Sequence, residues 1–109
     1  MDTIADNGSS ARYVIGNVFK PVKDVDMRLC GMLLEKNGEP FASGTTVEVM
    51  GSPAKSLAWL ANKLSEFGIE LPENSIILTG AVTAAVSVKA GDVVKVSFCD
   101  MGEVEVKFV

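Results

Sequence analysis

A chain of 109 residues, 48% hydrophobic and 22% charged, holds enough apolar material for one modest core and too little for two. Its formal charge of −4, from 14 acidic and 10 basic residues with no long basic run, excludes the electrostatic footprint of a nucleic-acid or anionic-membrane binder. No apolar stretch approaches the roughly 20 residues of a membrane span, the first residues lack a signal-peptide pattern, and histidine is absent. The expectation is therefore a single cytoplasmic domain over 1–109 that binds no nucleic acid and no membrane, and that works without the usual base of Ser-His or Cys-His catalysis.

Met1 to Ser10 is small and polar, with Asn7-Gly8 as a turn signal, and reads as a loop. Arg12 to Val18 has the β-branched and aromatic content of a short strand, ended by Pro21. Met27 to Lys36 and Phe41 to Val49 are strand-like runs around Asn37-Gly38-Glu39-Pro40. Asn and Gly both tolerate positive φ, so this spacing predicts a β-hairpin. Thr45, Val47 and Val49 alternate with Thr46, Glu48 and Met50, the period of a strand with one face in the core.

The period then changes. Ser52 is a candidate cap, Pro53 fits a first turn, Leu57, Leu60, Ala61 and Leu64 recur at helical spacing, and Gly68 supplies a stop. The expected helix, Pro53 to Phe67, turns Leu57, Leu60 and Leu64 onto a sheet and Lys55, Asn62, Lys63 and Glu66 to water. Ser75 to Thr79 reads as a short strand ending at Gly80, and Ala90-Gly91-Asp92 as a turn into a strand over Val93 to Phe98. Glu103 to Val109 is the last strand, its alternation matching that of Val94, Val96 and Phe98 in a second hairpin around Asp100-Met101-Gly102.

Cys30 and Cys99 lie in apolar or strand-like runs without C-x-x-C spacing, and read as buried free thiols. Trp59, Met27, Met32, Met50 and Met101 read as packing residues, and Lys20, Lys23 and Lys89 as solvated surface. Asp24-Val25-Asp26 and Glu103-Val104-Glu105 place two carboxylates on one strand face, a pattern that a solvated face explains better than a metal pair. No phosphate-cradling glycine motif occurs.

Six segments carry a resemblance: Asp2-Thr-Ile-Ala-Asp-Asn-Gly-Ser-Ser10, Gly31-Met-Leu-Leu-Glu-Lys-Asn-Gly38, Gly51-Ser-Pro-Ala54, Trp59-Leu-Ala-Asn-Lys-Leu64, Ile77-Leu-Thr-Gly-Ala81 and Lys89-Ala-Gly-Asp92. In order and spacing they resemble the carboxy-terminal part of the 2-keto-4-pentenoate hydratase and 4-oxalocrotonate decarboxylase branch of the fumarylacetoacetate hydrolase superfamily. The resemblance implies an α+β, mainly β fold: a curved mixed sheet, part of a fumarylacetoacetate hydrolase-like β-roll, with one amphipathic helix. It implies the chemistry of a lyase of aromatic catabolism, which hydrates or decarboxylates a short unsaturated 2-keto acid with magnesium or manganese. The family's metal ligands, a Glu-x-Glu pair and a further glutamate, stand upstream of the Ala-Asp-Asn-x-Ser segment. The expectation is therefore no metal site in this chain and a metal only in the full-length enzyme. Substrate contacts carried over from the family are Asn7, Ser9, Ser10, Thr79 and Gly80.

Two functions compete. One is a fragment or truncated form of such a lyase, inactive alone and completed by an amino-terminal polypeptide. The other is a non-catalytic β-rich binding or assembly domain with the family fold. Unpaired strand edges and a mean hydropathy of +0.30 further predict a homo-oligomer, a dimer by preference.

Overall fold

The computed structural model describes residues 12–49 and 51–109. Two hairpins build its sheet. The Asn37-Gly38 turn, with φ of 53° and 82°, has the positive pair that matches the twist of flanking strands, and it joins β1 (Gly31–Lys36) to β2 (Glu39–Thr45). The register shifts between Leu34 and Glu35, so that Leu34 faces Ala42 and Glu35 faces Pro40. The bulge and the proline sit on an edge strand, where a missing N–H donor does least harm. The second hairpin joins β3 (Val93–Phe98) to β4 (Gly102–Lys107) through a turn in which Asp100 and Gly102 take φ of 62° and 74°.

β1 pairs antiparallel with β3, giving the order β2-β1-β3-β4. Every ladder among the described residues is antiparallel, which corrects the expected mixed sheet. Alternation sorts the faces. Met32, Leu34, Ala42, Val96, Phe98 and Val104 stand opposite one another on one side, and Glu35, Lys95, Ser97, Glu103 and Glu105 on the other. On the polar side Lys95 Nζ lies 3.4 Å from Glu35 Oε2 and 3.6 Å from Glu103 Oε2. These carboxylates, Glu35 first, raise the Lys95 pKa.

Irregular segments lie on the two flanks of the apolar side, and glycines admit them. A Cβ on Gly44 would meet the Val82 carbonyl oxygen at 2.6 Å, and one on Gly16 would meet Val104 Cγ2 at 2.7 Å. Between residues 12–18 and the β3–β4 hairpin runs an apolar trough of about 710 Å³, walled by Tyr13, Val18, Phe98, Val104 and Phe108. Among the described residues the enclosed hydrophobic ones are few: Cys30, Leu34 and Val49.

The helix forms as the sequence predicts. In α1 (Pro53–Ser65) the Ser52 hydroxyl oxygen accepts the Ala54 N–H at 3.2 Å, and Pro53 opens the first turn. Its expected packing is not found: α1 makes no extended contact with any strand, Leu60 and Leu64 are half-buried, and Leu57 and Trp59 are exposed. An amphipathic stripe states that one face needs cover and does not say what covers it.

Four expected strand assignments are also corrected. Arg12 to Val18 and Ser75 to Thr79 form no ladder, since β-branched composition needs a partner strand to become a strand. The second run ends at Thr45, because Thr46–Glu48 winds into one 3-10 turn. There the buried Thr46 exchanges bonds with Cys30, its Oγ1 accepting the Cys30 N–H at 3.0 Å and its own N–H donating to the Cys30 carbonyl at 2.9 Å. The first run starts only at Gly31, because Asp26 Oδ1 accepts the N–H groups of Arg28 and Leu29 and holds a turn.

Candidate functional site

Of the five substrate contacts expected from the resemblance, Asn7, Ser9 and Ser10 lie outside the described residues, as does Met50 among the packing residues. Thr79 and Gly80 are described, beside the start of α1. The Ser56 hydroxyl, in the first turn of that helix, donates to the Thr79 carbonyl at 3.1 Å. Gly80 takes a φ of 123°, which disfavours any side chain, and a Cβ there would stand 3.6 Å from Val49 Cγ1. The Thr79-Gly80 corner is thus held between a helix terminus and a buried valine.

The Lys89-Ala-Gly-Asp92 motif serves structure. Asp92 is 4% exposed; its Oδ1 accepts from Asn37 Nδ2 at 3.0 Å and its Oδ2 from the Lys89 N–H at 2.9 Å, with Lys36 Nζ 3.8 Å away. The Asn37 bond and then the Lys89 bond, aided by the charges of Lys36 and Lys89, hold this carboxyl below the usual carboxylate range. Asn37 also binds Val93 through both backbone and side chain, at 2.8 and 2.9 Å. The turn of the first hairpin is therefore tied to the turn that leads into β3. Sequence patterning misses this knot, and it misses Ser56, because no local signal says which distant turns meet.

The described acids do not make a cation site. Asp26 is committed to its own turn and Glu103 to Lys95, and among the described residues no three His, Cys, Asp or Glu side chains converge in a way that could hold a metal. Both cysteines are free thiols. Cys30 is buried, its Sγ donating to the Cys99 carbonyl at 3.1 Å, and burial is the leading cause of its raised pKa. Cys99 is exposed, correcting the expectation that both are enclosed.

The family model described as fumarylacetoacetate (FAA) hydrolase C-terminal matches residues 1–109. The chain belongs to that family. It is 42% identical over 109 residues to 4-oxalocrotonate decarboxylase of Pseudomonas putida, covering 100% of this chain and 41% of that protein. With 2-keto-4-pentenoate hydratase of Paraburkholderia xenovorans (strain LB400) it shares 37% over 108 residues, 99% of this chain and 40% of the relative. The structure of 4-oxalocrotonate decarboxylase from Pseudomonas putida G7, complexed with magnesium and adipate, superposes with a TM-score of 0.92 at 40% identity, covering 98% of this chain and 41% of that one. This fumarylacetoacetate hydrolase family chain thus spans about two fifths of the length of the relatives it matches. Among the described residues no helix is long and apolar enough to cross a membrane.

Proposed function

We propose that this chain forms the carboxy-terminal part of a cytoplasmic, divalent-metal-dependent lyase that hydrates or decarboxylates a short unsaturated 2-keto acid such as 2-keto-4-pentenoate. The observation that supports this most is the collinear match to a decarboxylase along the whole chain, at 42% identity over 109 residues. In this reading Thr79 and Gly80, with Asn7, Ser9 and Ser10, bind the keto acid. Hydroxyl and N–H donors suit its carboxylate and keto oxygens, and a glycine lets a ligand approach the backbone closely. Magnesium or manganese would be held by carboxylates other than those described, since these form no converging set.

The test compares the chain alone with the chain joined behind the amino-terminal three fifths of the Pseudomonas putida decarboxylase. The chain alone is expected to turn over neither 4-oxalocrotonate nor 2-hydroxypenta-2,4-dienoate and to show no stoichiometric heat with magnesium or manganese. The joined protein is expected to be active with magnesium and silent after chelation. Tight metal binding by the chain alone rejects the proposal. A folded but inactive joined protein rejects it too, and selects the second reading, a non-catalytic β-rich binding or assembly domain.

We propose further that the chain alone associates as a homodimer. β2 and β4 are the outer strands among the described residues, and Tyr13, Ile15, Phe19 and Phe41 are all more than half exposed; outer strand edges and apolar surface both favour pairing. Sedimentation at micromolar concentration is expected to give twice the 11.5 kDa chain mass. A lone 11.5 kDa species overturns this.

A further inference from the structure

We infer that Ser56 is a positioning residue for keto-acid binding, fixing the Thr79–Gly80 peptide from the first turn of α1; this rests on the lyase reading above. Residues 76–88 contain no helix and no strand. Among the described residues, the one hydrogen bond that leaves this stretch for another element is the Ser56 hydroxyl to the Thr79 carbonyl, at 3.1 Å.

That single bond fixes more than a carbonyl. The Thr79 C=O and the Gly80 N–H belong to one planar trans peptide and point in opposite directions. With the carbonyl turned to Ser56, the Gly80 N–H points away from α1, and among the described residues it has no acceptor. An outward N–H on an exposed glycine is a donor available to a carboxylate or keto oxygen. Ser56 itself is well anchored, because its N–H donates to the Ser52 carbonyl at 3.2 Å inside the capped first turn. The corner lies near the buried Val49, whose Cγ1 would stand 3.6 Å from a Cβ on Gly80. Without the Ser56 hydroxyl, the Thr79 carbonyl would turn to water and the peptide would lose its fixed direction.

The variants are Ser56→Ala and Ser56→Thr, made both in the chain and in the joined enzyme. Alanine is the better helix former, so loss of α1 does not confound the result. In the joined enzyme Ser56→Ala is expected to raise KM for the keto acid roughly three- to tenfold, the effect of one net hydrogen bond, with kcat unchanged. Ser56→Thr keeps the hydroxyl and is expected to restore KM. In the chain, the carbon-13 shift of the Thr79 carbonyl and the nitrogen-15 shift of the Gly80 amide, which belong to the bonded peptide, are expected to move in Ser56→Ala and to stay near their native values in Ser56→Thr. An unchanged KM in Ser56→Ala, or a threonine variant as impaired as the alanine one, overturns the role of Ser56 alone. Inactivity of the joined enzyme with native Ser56 sinks the lyase reading and this role with it, and the Thr79 carbonyl shift then still reports whether the bond exists.

Discussion

Leu34→Ala is expected to lower the unfolding free energy by about 3 kcal/mol, within the span measured for enclosed leucines. Leu34 is 8% exposed, in the middle of β1, facing Ala42 of β2 on one side and Val96 of β3 on the other. Each neighbour belongs to a strand fixed by its own ladder, so the site cannot collapse to fill the space left by the removed side chain. The enclosed hydrophobic residues described besides it are only Cys30 and Val49. In a domain whose total stability is on the order of 5–10 kcal/mol, the loss is a large fraction. Urea unfolding followed by far-ultraviolet dichroism checks it, and a change below about 1 kcal/mol would show that the sheet is not held through this position.

Asn37→Ala is expected to cost about 2 kcal/mol. About 1 kcal/mol comes from losing the short polar side chain that lets asparagine tolerate the left-handed φ of 53°, which alanine does not. A similar amount comes from the bonds its side chain makes to Val93 and Asp92, discounted for partial exposure. Asn37→Gly restores the turn but not the bonds, so its cost is expected to be about half. The pH dependence follows in sign. The Asp92 carboxyl is held below its ordinary value in the folded chain, so its contribution is fully present above about pH 4 and is lost as pH falls through the folded value. The native chain therefore loses stability on acidification, and Asn37→Ala, lacking the leading cause of the shift, is expected to lose it less steeply. Parallel acid limbs for the two proteins would overturn the assignment of Asp92.

What the sequence makes legible is local. The Asn37-Gly38 hairpin, the Ser52-Pro53 helix start and the β3–β4 hairpin all follow from backbone preferences of neighbouring residues, and all are found. Long-range partnership is what escapes. Arg12 to Val18 has strand composition but crosses the sheet at Gly16 and Val104 without a ladder. Val47 fits the alternation, yet Thr46 is captured by Cys30, and the backbone turns there instead of continuing. For the candidate site, Thr79 and Gly80 came only from family resemblance, since a strand exit of that composition is ordinary. The Ser56 contact that fixes them spans 23 residues, beyond the reach of any periodicity.

The bond between Asn37 and Val93 joins residues 56 positions apart. That separation orders the assembly in time. Each hairpin closes over a few residues and forms within about 1–10 μs, whereas bringing β1 to β3 must first overcome the closure entropy of the whole intervening loop, about 3.6 kcal/mol from (3/2)RT ln n. The hairpins therefore precede their docking, and the Asn37–Asp92 contact is among the last to close. Because that entropy grows only with the logarithm of length, doubling the loop adds about 0.6 kcal/mol. Added length in the stretch that carries α1 and the Thr79-Gly80 corner would therefore cost folding little, while the two hairpins keep their lengths.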